Sequence, residues 1–311
     1  MRLLNRCTRC TAAVGWLMAL ALPAAFAQVD VSAWPEVRME LSITAAPGSA
    51  PADVSSSLVS LTDSGHPQNV ASLKPIVGPQ SICLLLDNSN SMRGKLPQLK
   101  SAAARFLQSL PAEDEVCVAT IGPALAMRTK LTQDHAAAAA SLQAVEAHGG
   151  SGLLDGIMNA AEYMRDAARN RSRTFVLFSD AFDNRSLSDE RTFRQQMELS
   201  GSPVLYLVDY AGSEASPAES GRTDDMLSHE MIAEAVARGG GTACAPAGER
   251  QLAAALDALK EQLHRRYLLA YTVEMAARDG QERRLQVTLN AAYAQQGLRI
   301  TAPGGYYAPS Q

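Results

Sequence analysis

Residues 81–86, Ser81-Ile82-Cys83-Leu84-Leu85-Leu86, form an unbroken apolar run that stops on Asp87 and passes through Asn88-Ser89-Asn90-Ser91 into an amphipathic stretch over 96–110. A short continuous apolar run reads as a strand buried on both faces, which restricts the fold to a sheet with layers above and below it. The same rhythm recurs. Strands are expected at 115–122, 174–179, 203–208 and, shorter, 241–245, with 124–131 folding back as an edge strand. Helices are expected at 135–147, 153–169, 188–199, 226–238 and 249–264; Leu154, Ile157, Ala161 and Met164 share one face of the second of these. Strands alternating with helices predict a doubly wound, Rossmann-like α/β fold with a mainly parallel sheet. Such sheets bind ligands beyond the carboxyl ends of their strands.

The flanks read differently. Residues 37–43 alternate polar and apolar, residues 58–61 followed by Thr62-Asp63-Ser64-Gly65 look like a strand and turn, and 45–57 is an Ala/Pro/Ser/Gly-rich loop. Residues 267–273, 284–289 and 298–301 are strands, with Asp279-Gly280 as a hairpin signal between the first two. Three strands cannot bury both faces alone. They are therefore expected to join the N-terminal strands in one small β-sandwich, with the α/β body inserted between its halves. Residues 212–224 form a polar insertion rich in Ser, Glu and Gly.

The first residues carry a different signal. Arg2, Arg6 and Arg9 precede an apolar stretch over 12–22 and the small-x-small sequence Ala25-Phe26-Ala27. That is the pattern of a cleaved export signal, with Gln28 as the expected new N-terminus and the periplasm or the exterior as destination. The rest of the chain has no apolar run long enough to span a bilayer, so no integral membrane span is expected. The predicted organisation is therefore a signal at 1–27, an N-terminal β region at 28–79, an α/β domain at 80–264 and a C-terminal β region at 265–311. Removing residues 1–27 takes away three arginines and no acids, moving the formal charge from −4 to −7. An acidic exported chain is a poor candidate for nucleic-acid binding. Cys83, Cys117 and Cys244 remain. Cys83 and Cys117 fall at similar depths in two neighbouring strands, where a bridge is feasible; the favoured reading is two unbridged thiols acting as small buried apolar residues.

The chemistry-bearing residues cluster at the expected strand ends. Asp87, Ser89 and Ser91 present three oxygens from one loop, Ser151 lies in Gly149-Gly150-Ser151-Gly152 before a helix, and Asp180 ends the strand at 174–179. Two carboxylates and three hydroxyls make a hard-cation site for Mg²⁺, with Mn²⁺ or Ca²⁺ as alternatives, open to one outside ligand. Taken alone, Asp87 and Ser89 would equally serve as a helix cap or Asx turn. Asp155 fits the first turn of a helix, Asp183 is either a support or a loop residue, and Asp209 ends a strand near the same rim without joining the expected set.

These residues resemble the von Willebrand factor type A domain. Its metal-ion-dependent adhesion site reads Asp-x-Ser-x-Ser, then Thr, then Asp. Asp87, Ser89 and Ser91 match the first element, Asp180 the last, and Asp183-Asn184 follow as is common there. Ser151 stands in place of Thr, and Ala181 where Gly is common. The resemblance covers about residues 81–264. The flanks are similar to a bacterial exported VWFA-related group, through Tyr267-Leu268-Leu269-Ala270-Tyr271 and Gly305-Tyr306-Tyr307-Ala308-Pro309. It implies that Ser89, Ser91 and Ser151 ligate the cation, that Asp87 and Asp180 balance its charge, and that a partner protein's Asp or Glu takes the open position. The alternative is an envelope scaffold with a vestigial metal site.

Catalytic motifs fit poorly, and a non-enzymatic protein is expected. Ser151 is not in a nucleophile elbow, because Leu153 stands where the second Gly belongs. His229-Glu230 starts like a zincin helix, but Ala233 replaces the second His. Gly239-Gly240-Gly241 precedes a strand, not a helix, and the five histidines show no ligand spacing and read as surface residues.

Overall fold

The computed structural model describes residues 29–45, 54–199, 201–210, 223–274, 277–294 and 297–310; the expected leader and residues 211–222 of the polar insertion lie outside them. Five strands come first: β1 (Val29–Asp30), β2 (Glu36–Thr44), β3 (Val59–Asp63), β4 (His66–Gln68) and β5 (Val70–Pro75). The α/β body follows as β6 (Ser81–Asp87), α1 (Leu96–Ser109), β7 (Glu115–Ile121), β8 (Leu125–Thr132), α2 (His135–Ser141), α3 (Leu153–Ala167), β9 (Arg173–Phe178), α4 (Glu190–Met197), β10 (Val204–Val208), α5 (Thr223–Arg238), β11 (Ala243–Cys244) and α6 (Glu249–His264). Then come β12 (Arg266–Thr272), β13 (Glu282–Leu289), the short α7 (Ala291–Ala294), β14 (Arg299–Thr301) and β15 (Gly305–Tyr307).

The central sheet runs β11-β10-β9-β6-β7-β8, parallel throughout except for the antiparallel edge strand β8. Every residue of β6 and β7 is buried, as the unbroken apolar run predicted. Strand alternation sorts the core into two layers. Ile82, Leu84 and Leu86 pack with Leu99, Phe106 and Leu256 of α1 and α6. Leu85 and Phe175 pack on the other face with Ile157, Phe193 and Ile232 of α3, α4 and α5. The chain moves from β6 to β7 on one side and returns to place β9 on the other. The strand order therefore reverses at β6, and the crevice at its carboxyl end is the topological switch point.

Both sides of the body contribute to two further sheets. One runs β1-β2-β12-β5, with β14 also on β2; the other runs β15-β13-β3-β4. Val37, Met39, Leu61, Leu269, Tyr271 and Tyr306 share one apolar cluster between them, so the two sheets form the β-sandwich. The two flank motifs meet inside it. Tyr271 and Tyr306 both donate to Asp63 Oδ2, at 2.8 and 2.7 Å, and all three residues are buried.

Three expectations need correction. Asp279-Gly280 does not join β12 to β13 as a hairpin, because these strands lie in different sheets. The turn instead faces the C-terminal segment, where Gly280 N donates to Pro309 O and Ala308 N to Gln281 O. Cys83 and Cys117 are bridged rather than free: they are direct partners in the β6–β7 register, which brings their Cα atoms to 4.5 Å. His264 is not a plain surface residue. It is half-buried, with Nε2 2.8 Å from Asp114 Oδ2 and Nδ1 2.8 Å from Lys260 O.

The amino ends of the central strands meet the sandwich through buried polar groups. Glu40 of β2 pairs with Arg266 at 2.5 Å, accepts from Ser172 Oγ at 3.3 Å and lies 3.8 Å from Arg171. Asp114 accepts from Gln80 N at 2.8 Å, and Glu115 accepts from Ser81 Oγ and Arg169 N at 2.6 and 2.7 Å.

Candidate metal centre

Asp87 closes β6 and Asp180 lies just past β9, so neighbouring parallel strands deliver both carboxylates to the switch point. Asp87 is fully buried. Its Oδ1 accepts from Ser89 N at 2.9 Å, an Asx-type turn that bends the chain out of the strand. Its Oδ2 accepts from Ser179 Oγ at 2.7 Å and from Ser151 Oγ at 3.4 Å. Ser89 Oγ lies 3.0 Å from Ser91 Oγ, and Ser91 is exposed. The five residues expected from sequence therefore gather on one rim, with Ser91 facing solvent.

The loops that carry them are tied to one another. Asn90 N donates to Gly149 O, His148 N to Asn88 O, and Asn88 Nδ2 to Glu146 O. Asn184 Oδ1 accepts from Ser151 N at 3.0 Å, and Ser151 O accepts in return from Asn184 N and Arg185 N. Gly150 packs so closely beneath Asn184 and Arg185 that a side chain there would collide with both. Asp183 Oδ2 accepts from Leu154 N at 2.8 Å, making it a cap for α3. Asp155 accepts from Leu187 N and Ser188 N. Burial opposes the Asp155 charge, but these hydrogen bonds outweigh it and hold the carboxyl below its usual range.

The electrostatics are unbalanced. Burial, and next the charge of Asp180, push Asp87 up to about 6 against the opposing hydrogen bonds from Ser179 and Ser89. Asp180 Oδ1 is buried with no hydrogen-bond partner, and its other oxygen has Lys95 Nζ at 3.8 Å. A divalent cation would supply both missing terms, neutralising the pair and taking the unpartnered oxygen. The donor set, hydroxyls plus carboxylates, suits a hard cation. Among the described residues no cluster of three or more His, Cys, Asp or Glu offers a competing site.

Sequence reasoning overlooked Ser179 and Lys95. Ser179 was visible only as a hydroxyl directly before the last Asp; its second role, accepting from Ala181 N at 2.9 Å, shapes the turn. Ala181 sits there at φ +60°, the left-handed region, which is the physical reason Gly suits this position. Asp209 is half-buried near Asp180; burial raises its carboxyl, with Lys95 and His229 opposing.

Residues 82–182 match the family model described as von Willebrand factor type A domain. Among solved structures, the chain is similar to a von Willebrand factor type A protein from Catenulispora acidiphila, at 14% identity and TM-score 0.50, over 83% of this chain and 73% of that one. It is also similar to BatB from Bacteroides thetaiotaomicron, at 15% identity and TM-score 0.46, over 59% of this chain and 96% of that one. A third likeness is to the vWF domain of the type V pili tip protein Mfa5 from Porphyromonas gingivalis, at 11% identity and TM-score 0.45, over 60% and 95%. None of the curated proteins matches this chain. At these identities the likeness concerns the fold alone.

Proposed function

We propose that this chain, which carries a von Willebrand factor type A domain, is an exported binding module that captures a partner protein's Asp or Glu through a bound divalent cation. Ser89, Ser91 and Ser151 hold the cation through hydroxyl oxygens. Asp87 and Asp180 balance its charge, directly or through water. Neutral hydroxyls leave the cation electrophilic, so an incoming carboxylate gains more there than at a carboxylate-rich site. Mg²⁺ is the expected ion, with Mn²⁺ or Ca²⁺ able to replace it. The module binds and performs no chemistry of its own.

The observation that carries this reading is the unpartnered buried oxygen of Asp180 beside an Asp87 whose own charge it disfavours. Thermal unfolding with and without millimolar Mg²⁺ tests it. A ligand at about 100 times its dissociation constant adds roughly 2.7 kcal/mol. The wild type should show that gain and Asp87→Ala should lose it while remaining folded.

One observation favours a second reading. The Lys95 ammonium already stands 3.8 Å from Asp180 and supplies part of the missing positive charge. A scaffold protein with a vestigial metal site would look like this. In that case Mg²⁺ leaves both proteins unshifted, and chelator leaves partner capture intact.

A further inference from the structure

A groove of about 690 Å³ runs along α1, between this helix and residues 143–147. Its cationic lining is Arg93, Lys100 and Arg105, against Glu146 as the acid. None of the three cations makes an ion pair among the described residues, where their hydrogen bonds go to neutral acceptors. Arg93 donates to Asn90 Oδ1 at 2.7 Å and Ala147 O at 3.2 Å, Lys100 to Gln143 O and Val145 O, and Arg105 to Ser101 Oγ. Arg93 and Arg105 are exposed. An ammonium has three donors, so Lys100 keeps one for a ligand, and each guanidinium keeps several.

The groove ends beside the loop of the candidate metal centre. Arg93 stands two residues after Ser91, and its contact with Asn90 joins the groove's end to the Asp87–Ser91 loop. From there the cations extend along the helix. Nine residues at about 1.5 Å each place Arg105 roughly 14 Å along α1 from Leu96, and Arg93 lies three residues before that helix. An extended peptide covers that length of helix in about four or five residues at roughly 3.3 Å each. A carboxylate bound at the cation leaves its own flanking chain facing this positive strip.

We infer that the partner presents its metal-binding carboxylate from an extended acidic segment, whose further Asp or Glu residues lie along the α1 groove against Arg93, Lys100 and Arg105. This rests on the metal-dependent reading above and adds the class of partner to it. The metal supplies one strong contact, and the groove selects for carboxylates that follow it in the same chain. Ionic strength should weaken the groove contacts, which are exposed, more than the metal contact.

Fluorescein-labelled hexaglutamate is the probe, with hexaglutamine as the neutral control, measured by anisotropy on the full chain in Mg²⁺ and in chelator. Arg105→Glu is the variant, because Arg105 is exposed and, among the described residues, donates only to Ser101 of its own helix, while Arg93 and Lys100, which tie the groove walls, are kept. Expected are hexaglutamate binding far above hexaglutamine and a loss of about three- to tenfold in Arg105→Glu, as one exposed ion pair lost and one repulsion gained warrant. The Mg²⁺-induced thermal shift of Arg105→Glu should equal that of the wild type. Equal binding of the two peptides, or equal hexaglutamate binding by variant and wild type, overturns the acidic segment and leaves the metal reading standing. Groove-dependent binding that chelator leaves untouched, with no Mg²⁺ thermal shift, upholds the acidic groove and overturns the metal reading beneath it.

Discussion

Both ends of the central sheet bury acids, under opposite conditions. At the amino ends, Glu40 has Arg266, Arg171 and Ser172, Asp114 has Gln80 and His264, and Glu115 has Ser81 and Arg169. At the carboxyl ends, Asp87 and Asp180 lie close together, and Asp180 keeps a buried oxygen with no partner. Burial alone therefore does not mark a working site; both ends have it. What separates the two sets of acids is their partners: those at the amino ends each have a cation or several donors, although Gln80 Oε1 and Arg266 Nη1 beside them are themselves unpartnered. A buried carboxylate left short of a partner invites one from outside.

The largest test of this contrast lies at the amino ends. Arg266→Met takes the closest cation from Glu40, and unfolding in urea should report a loss of about 3–5 kcal/mol, the usual cost of breaking a buried pair from one side. The carboxyl ends should respond in the opposite direction. Asp87 has a folded pKa of about 6 against an ordinary 3.8, so the folded state holds this proton more tightly than the unfolded chain does. The associated stability is present below about pH 4 and is lost as pH rises through 6. In chelator, Asp87→Asn should therefore be neutral near pH 4 and stabilising at pH 8, by up to about 3 kcal/mol. Destabilisation at pH 8 would break the contrast.

Two smaller effects sharpen it. Burial works against a charged His264, but its bonds to Asp114 and to Lys260 O outweigh that and raise its pKa above 6.5. Its contribution is complete below the unfolded pKa and fades as pH rises through the folded one. The wild type should lose stability across that window and His264→Gln should not. The difference should be about 1 kcal/mol, because His264 is partly reached by solvent while Asp114 is buried. Ala181→Gly relieves roughly 1–2 kcal/mol of left-handed strain while giving up about 0.8 kcal/mol of methyl burial. The net gain of about 0.5 kcal/mol should appear as a small shift in the urea midpoint.

The parts of this fold written in local patterns were legible. β6, β7, β9 and β10 are apolar runs flanked by helical periodicity, and a short run buried on both faces has few other readings. The five oxygen-bearing residues of the rim stood out in a related way, Asp87, Ser89, Ser91 and Asp180 at or just past a strand end and Ser151 just before a helix. What escaped depended on contacts between distant segments. β5 has one buried residue, Leu73, and ends on Pro75, so nothing in Val70-Ala71-Ser72-Leu73-Lys74-Pro75 announces the strand that β12 requires. Asp279-Gly280 signals a turn but not which strands it serves. The Cys83–Cys117 bridge depended on strand register, and Lys95 reaches Asp180 from a loop with no motif at all.

Asp63 receives the hydroxyls of Tyr271 and Tyr306, which lie 208 and 243 residues further along the chain. In kinetic terms the sandwich has very high contact order, whereas α1 and α3 and the strands beside them are local. During synthesis, β2 and β3 emerge early with only the short β1 and β4 beside them, each waits with one edge unpaired until β12 and β13 arrive, and the last tyrosine arrives later still. Until then these edges are open to pairing with another chain, so the α/β body should fold first and the sandwich should be the slow, aggregation-exposed step.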